Sequence, residues 1–455
     1  MIDTKSIPPC GIDFGTTNSS VAIFQNHHPI ALPIDPLSSN PQILKSLIFI
    51  DPNHQATTGS NAIQKYLYDL ENIPSVPPRI VDTGRLIKTF GPSTGGGVGP
   101  PIWVPEIIEV DDSGRGRLLQ SLKSALTNSS FTGTNIFGKF YSVEELLTIL
   151  LSELKHRAEI SLNHSLDSAV IGRPIRYVGQ GQDQIALNRM AQIARNSGFK
   201  NIKFEYEPVG AALNYGLDIK KPQTILVFDF GGGTLDICIM KFPEKEILAV
   251  SGRPIGGDLL NSRLINTNLL PYFGSQAIIS SRLPFPRHFF HSFSSWYQTT
   301  LLKTTRNIGT LQELAIRSNQ PETIQNFINF IINDYGFNFF QSVDQTKIDL
   351  SSKLETQFSF NKSQLQINQN ITRQNFEQSI NKELIESQKC ITESLKTANL
   401  TAKDIDKVIL TGGSSQIPCF ISLIHQFFSP EIIIDSNHFT AVALGLSIRA
   451  AEIFS

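Results

Sequence analysis

Two short segments set a carboxylate among glycines and hydroxyl residues: Gly11-Ile-Asp-Phe-Gly-Thr-Thr and Phe228-Asp-Phe-Gly-Gly-Gly-Thr. Backbone N–H groups reach a phosphate only where side chains do not intervene, so glycines beside hydroxyls suit a phosphate cradle. Gly15, Thr16 and Thr17 supply one cradle, and Gly231, Gly232, Gly233 and Thr234 a second. An acid beside a phosphate needs a cation between them. Mg²⁺ is held by one or two carboxylates plus phosphate oxygens and keeps several waters, which suits Asp13 and Asp229. A third Gly-rich turn, Gly412-Gly413-Ser414, follows an apolar run and would approach an α-phosphate or a ribose. Any one of these loops is equally consistent with a plain tight turn; three together point to nucleotide. No G-x-x-x-x-G-K-[ST] is present, and no Rossmann G-x-G-x-x-G follows a strand at either acid.

The elements around the acids repeat. Asp13 and Asp229 lie 216 residues apart, and each sits between alternating apolar runs, Val21–Phe24 on one side and Ile225–Phe228 with Ile237–Met240 on the other. Two β-hairpins with acidic, Gly-rich tips are predicted, heading two similar halves. Ser142-Val-Glu-Glu145 predicts a capping box for a helix whose Val143, Leu146, Leu147, Leu150, Leu154 and Ala158 share one face. Ala169–Pro174 reads as a buried strand, Gln182–Ser197 as a helix ending near Gly198, and Phe376–Leu395 as another helix. Lys407–Thr411 reads as a strand, Pro418 opens a further helix, and Thr440–Phe454 forms a last one. Gly91 to Gly99 reads as a surface loop without chemistry, and Leu259 to about Gln374 as a mixed, mostly helical subdomain.

Composition narrows the function classes. With 455 residues, two large lobes or several subdomains are expected. Thirty-nine basic against 40 acidic residues give a net charge of -1, so no basic face for nucleic acid or anionic membrane is expected. Cys10, Cys238, Cys390 and Cys419 form no C-x-x-C and read as buried thiols of a cytoplasmic protein. His288 and His291, an H-x-x-H without neighbouring acid or thiol, are assigned no metal.

Gly11-Ile-Asp-Phe-Gly-Thr-Thr-Asn, Phe228-Asp-Phe-Gly-Gly-Gly-Thr-Leu-Asp and Leu410-Thr-Gly-Gly-Ser-Ser-Gln-Ile-Pro together resemble the phosphate and adenosine motifs of the actin-like ATPase superfamily, in the wording of DnaK-type heat-shock chaperones. Ala169-Val-Ile-Gly-Arg-Pro-Ile and Tyr206-Glu-Pro-Val-Gly-Ala-Ala-Leu-Asn-Tyr resemble the short YegD-type chaperones. The resemblance implies an α/β, two-lobed actin-like ATPase fold, with duplicated ribonuclease H-like sheets and an ATP or ADP cleft between the lobes. Lobe I is expected over residues 1–221, with a C-terminal helix, 438–455, packing back on it; lobe II is expected over 222–437, with an outer subdomain at about 259–374. Asp13 and Asp229 match the acids that hold hydrated Mg²⁺, and Thr16, Thr17 and Thr234 match phosphate-contacting hydroxyls. Asn18 and Gly257 fall among the nucleotide contacts. Glu207 and Asp236 match acids that orient water, although Glu207 before Pro208 also suits a plain helix start.

Three positions depart from the family pattern. The γ-phosphate lysine has no direct match, and Lys88 is the candidate, against an ordinary surface lysine. Asp344-Gln-Thr-Lys-Ile-Asp-Leu-Ser351 resembles the adenine-clasping helix with Asp344, Lys347 and Ser351 in register, yet Ile348 stands where an arginine stacks on the base. Phe439 stands at a family aspartate near the ribose.

The leading expectation is a chaperone-type Mg-ATPase whose partner or co-chaperone the residues do not name. Rival readings are a nucleotide sensor with little turnover, a small-molecule kinase and a filament protein on the same fold. The resembled ATPase lobes pass through a linker to a peptide-binding domain, whereas here the last helix is followed only by Ser455. The expectation is therefore that this chain alone does not hold unfolded peptide, and that the Phe- and Asn-rich stretch Leu259–Phe340 offers the surface read by a partner, although its aromatics equally suit a core.

Overall fold

The computed structural model describes residues 8–91, 100–110, 114–127, 131–177, 183–280, 282–436 and 439–454. The expected Gly91–Gly99 loop falls almost wholly outside them.

Strands β1 (Cys10–Phe14), β2 (Asn18–Gln25) and β3 (His28–Ala31) form an antiparallel meander, with the short β4 (Leu44–Lys45) paired to β2. Next come β5 (Leu47–Ile50), β6 (Ala56–Thr58), α1 (Gly59–Asn72), a hairpin of β7 (Arg79–Phe90) and β8 (Pro101–Val110), and β9 (Arg117–Gln120), which returns to pair with β5. A 3-10 turn, Leu122–Thr127, follows. The hairpin of β10 (Gly133–Ile136) and β11 (Lys139–Ser142) leads into α2 (Val143–Leu162). The capping box is present: Ser142 Oγ accepts from Glu145 N at 3.1 Å, and Glu145 Oε2 accepts from Ser142 N at 2.7 Å. All six residues of the expected apolar face are buried. Ser142→Ala leaves an unsatisfied helix N–H, and a loss of about 1 kcal/mol in unfolding free energy is expected by denaturant titration. A change below about 0.3 kcal/mol would show that the cap carries nothing.

β12 (Ser168–Arg173), α3 (Asp183–Asn196), β13 (Asn201–Tyr206) and α4 (Glu207–Gly216) complete the first half, with β12 parallel to β1 and β13 parallel to β12. The resulting order is β13-β12-β1-β2-β3.

The second half repeats this plan. β14 (Gln223–Phe230), β15 (Leu235–Phe242) and β16 (Glu246–Arg253) form the antiparallel meander. Then follow α5 (Gly257–Asn268), the short β17 (Ile278–Ile279) and β18 (Leu283–Pro284), α6 (Trp296–Thr300), α7 (Thr305–Ile316), α8 (Pro321–Ile332), α9 (Gly336–Ser352) and the hairpin of β19 (Glu355–Lys362) and β20 (Leu365–Thr372). After α10 (Arg373–Ser379) and α11 (Asn381–Thr397), β21 (Lys407–Thr411) joins β14 in parallel; after α12 (Pro418–Phe427), β22 (Ile433–Asp435) joins β21 in parallel, and α13 (Ala441–Phe454) closes the fold. The order β16-β15-β14-β21-β22 reproduces the first sheet strand for strand. The internal echo in the sequence is thus a duplicated sheet, each copy carrying its acid at the tip of its first hairpin.

One expectation is corrected. The single helix over Phe376–Leu395 is broken at Ile380, whose φ of -106° and ψ of 14° end α10 before α11 starts. The aromatics of the Phe-rich stretch are core: Phe273, Phe293, Phe327, Phe330 and Phe339 are buried and meet edge-on, tilted or stacked, with Phe273–Phe293 and Phe293–Phe330 centroids 5.0 and 5.2 Å apart. Aromatic rings bury the most area per residue, and their offset contacts add to it, so they fill the centre of this subdomain. The outer parts of the two halves also touch. Asp334 pairs with Lys303 at 2.7 Å and with Arg115 at 3.4 Å, and Tyr66 stacks edge-on to Phe337 at 5.5 Å. Among the described residues no helix is long and apolar enough to cross a membrane.

Candidate functional site

The two hairpin tips face one another. A Cβ added at Gly232 would lie 2.8 Å from Thr17 Oγ1, so the second Gly loop approaches the first as closely as a glycine allows. Between them is a cavity of about 140 Å³, lined by Asp13, Gly15, Thr16, Thr17 and Asn18 from the first tip and by Asp229, Gly231, Gly232, Gly233 and Thr234 from the second. Gly412, Gly413, Lys123, Ser124, Pro174, Tyr177, Glu207, Phe439 and Val442 complete the wall. Gly412 has φ 76°, and a Cβ there would meet Phe230 O at 2.3 Å, so only glycine lets the third loop lie against the second.

Electrostatics organise the floor. Glu207 begins α4, and its Oε1 accepts from Lys123 Nζ at 2.7 Å, both side chains being largely buried. Burial by itself would lower the Lys123 pKa, but Glu207, Tyr177 and Asp13 together outweigh it and hold the ammonium above its ordinary value. The acids shift the other way. Desolvation, then Glu207, push Asp13 up to about 7 against the pull of Lys123. Asp236 rises to about 8 for the same two reasons, although it accepts from Thr234 Oγ1 at 2.8 Å and from Ile175 N at 3.1 Å. Asp229 is pushed up by desolvation, then by Glu207, Asp236 and Asp13. One lysine does not offset this cluster of carboxylates, so further positive charge in the cavity would restore the ionised forms of the three aspartates.

That deficit, with the donor set, fits a divalent cation carrying phosphate. Asp13 and Asp229 flank the cavity from opposite sheets, Gly loops present backbone N–H groups, and Asn18 Oδ1 is buried without a hydrogen-bond partner. Oxygen ligands of this kind are those Mg²⁺ prefers.

Most of the residues named from the sequence converge here, and some do not. Lys88 is a correction: it is exposed on β7 opposite Trp103 and does not line the cavity. The cation on the wall is Lys123, which the 3-10 turn holds by burying Leu122 and Leu126. Its signal was a lysine inside an apolar turn, Ser121-Leu-Lys-Ser-Ala-Leu126, obscured by the β7–β8 hairpin that precedes it. Asp236 is 1% exposed and lies behind the wall, reaching it through Thr234. Gly257 and Ser414 brace the second loop, with Gly257 N and Ser414 Oγ donating to Gly231 O at 3.0 and 3.1 Å. Lys347 donates to Gly257 O at 3.4 Å and to Asp344 Oδ1 at 3.0 Å, and Ser351 Oγ donates to Lys347 O within α9. Asp344 lines a neighbouring cavity of about 120 Å³ with Thr17, Lys45, Asp258 and Asn261. Ile348 is exposed, and Phe439 borders the main cavity beside Val442.

Comparison with known proteins agrees with this geometry. A family model described as Hsp70 protein matches residues 118–277 and 338–455, a span that contains Lys123, Glu207 and the second and third loops. The chaperone protein DnaK of Thermosipho melanesiensis is 29% identical over 361 residues, covering 76% of this chain and 51% of the relative. DnaK of Cyanidioschyzon merolae is 25% identical over 450 residues, covering 97% of this chain and 61% of the relative. DnaK of Thermus thermophilus is 28% identical over 324 residues, covering 69% of this chain and 44% of the relative. The chain spans roughly half the length of the curated relatives it matches.

Proposed function

The chain belongs to the Hsp70 family, and on that premise we propose that its cleft binds Mg-ATP and hydrolyses it, as the nucleotide-driven part of a chaperone-like activity. The observation that carries this reading is the pair of acid-tipped Gly loops, one from each copy of a duplicated sheet, closing on a cavity whose carboxylates lack enough positive charge. The family carries the actin-like ATPase fold, and we place its lobes at 1–221 and 222–437, with the last helix on the first lobe. The packing of α13 on β1, β2, β12 and α4 supports that division.

Asp13 and Asp229 would hold Mg²⁺ through its waters, and the metal's contribution there is to neutralise charge on the phosphates. Thr16 and Thr17 would donate hydroxyls, and the Gly15, Gly232 and Gly233 backbone N–H groups, to the phosphate chain, while the Thr234 hydroxyl donates to Asp236 and the Gly231 N–H to Thr234 O, shaping the loop. Lys123, fixed by Glu207, sets an ammonium where charge develops on a transferring phosphoryl group. Glu207 and Asp236 orient a water for in-line attack, Asp236 acting through the Thr234 hydroxyl. Positioning and electrostatics then supply most of the acceleration. Phe439, which borders the cavity, would make the sugar-side contact apolar. The sensor reading rested in part on a missing cation, and Lys123 removes that support.

Asp13→Asn and Asp229→Asn are expected to weaken Mg-ATP binding at least about tenfold each, near 1.4 kcal/mol, with the unfolding midpoint unchanged or raised, because a desolvated charge is removed in each. Calorimetric titration of wild type and variants, with Mg²⁺ and with chelator, checks this. Wild-type affinity in both variants would sink the cleft assignment.

A further inference from the structure

The neighbouring cavity of about 120 Å³ shares Thr17 with the main one and is walled by both halves of the chain. The first half supplies Lys45 from β4, Leu47 from β5 and Ile63 from α1; the second supplies Asp258 and Asn261 from α5, and Phe337, Phe340 and Asp344 from α9. Its polar groups are poorly served among the described residues. The Lys45 ammonium has no hydrogen bond or ion pair; burial lowers its pKa, and Asp344 only partly offsets the loss. The Asp258 carboxylate accepts no hydrogen bond, and burial pushes it up to about 6 against the pull of Lys347, with Asp344 adding to the rise. Asn261 is 4% exposed; its Nδ2 donates to Asp344 Oδ1 at 2.8 Å, but its Oδ1 is buried without a partner. The Oγ of Ser295, which lines the cavity just before α6, is buried without one too. Buried polar groups are normally paired, so four unserved groups around one cavity point to an occupant.

We propose that this cavity binds a free amino acid with an apolar body, its carboxylate on Lys45 and its ammonium on Asp258 and Asn261. The charges choose the ligand. An unpaired cation on the first-half wall calls for one anionic group, whereas the two carboxylates and the amide oxygen opposite repel a second anion and accept only donors. A sugar would need hydrogen bonds all round, and Leu47, Ile63, Phe337 and Phe340 offer none. The volume suits roughly ten non-hydrogen atoms, the size of leucine. Lys45, Ile63, Ser295 and Phe337 lie outside the residues that the family model matches, so the site adds to the shared cleft rather than restating it. Because its walls come from both halves, an occupant holds them together, and bound amino acid and bound nucleotide should strengthen one another.

Calorimetric titration of the 455-residue chain with L-leucine, without nucleotide, is expected to saturate with a Kd on the order of 0.1–1 mM. 4-Methylpentanoate, which lacks the ammonium, and 3-methylbutylamine, which lacks the carboxylate, should each bind at least about tenfold more weakly. 6-Aminohexanoate carries the same two charges at the ends of an apolar stem, and binding by it in place of leucine keeps the site and fixes their separation. Lys45→Met should weaken binding about tenfold and Ser295→Ala about threefold, with the unfolding midpoint unchanged or raised, because neither group has a partner to lose. Mg-ADP should raise the affinity. No saturation by either amino acid up to about 20 mM, equal binding of the analogues that lack one charge, or indifference to Lys45→Met would each overturn the proposal. So would displacement by Mg-ADP, which would give the cavity to the nucleotide itself. Binding is read without nucleotide, so its failure leaves the ATP cleft standing.

Discussion

Lys123→Met lowers the single-turnover rate of ATP hydrolysis by roughly 10²–10³-fold, the size of effect seen when one fixed donor to a developing oxyanion is removed. ATP affinity should change far less, because a contact that strengthens only in the transition state appears in turnover rather than in binding. The substitution keeps the length of the stem but strands Glu207, whose partner at 2.7 Å is gone. A half-removed buried pair costs about 3–5 kcal/mol, so the fold itself is at risk. Lys123→Met combined with Glu207→Gln removes the stranded charge and should recover most of the lost stability without recovering turnover. Lys88→Ala, on the exposed hairpin, should hydrolyse at the wild-type rate. The assignment fails if the double variant turns over normally, or if the loss follows Lys88 instead.

A larger effect on stability is expected where α13 meets the first sheet. A Cβ at Gly445 would fall 1.6 Å from Gly210 O and 3.0 Å from Asn214 N, and one at Gly11 would fall 2.1 Å from Ser447 N. Backbone meets backbone at both contacts, so no side chain can swing aside, and the helix must move bodily to admit a larger residue. Overpacking costs about 1–3 kcal/mol where neighbours adjust, and Gly445→Val belongs at or above the top of that range. A fall of about 5–10 °C in the unfolding midpoint follows. Because α13 packs on β1 and α4, which carry Asp13 and Glu207, nucleotide affinity should fall with it. Gly309→Ala in α7 is the control: nothing lies within 4 Å of that Cβ, so it should be neutral or stabilise by up to about 1 kcal/mol. Equal midpoints for the two variants would mean that the α13–α4 seam is not packed as described.

The parts of the site legible in the sequence are those where chemistry constrains a contiguous run. An acid, glycines and a threonine within seven residues mark a tip, and alternating apolar residues on either side mark its strands, so Asp13, Asp229 and both loops were placed by pattern. The Ser142–Glu145 box and the face of α2 were legible because both are local. Lys123 was not. Its role comes from where a 3-10 turn is carried after a 32-residue hairpin, and Lys88 inside that hairpin mimicked it in one-dimensional spacing. The phenylalanines of the second half are only half legible for a related reason: composition says that rings are present, and only the packing of α5 to α9 says that they face one another. The break at Ile380 has no glycine or proline to announce it.

The central claim is that the two acid-tipped loops clasp one triphosphate. A crystal structure of the protein grown with Mg²⁺ and a non-hydrolysable ATP analogue tests it most directly. The expected result is phosphate density between Gly15–Thr17 and Gly231–Thr234, with a metal on the Asp13 and Asp229 side and Lys123 against the terminal phosphate. Analogue bound elsewhere, or phosphates that touch only one of the two loops, would contradict it.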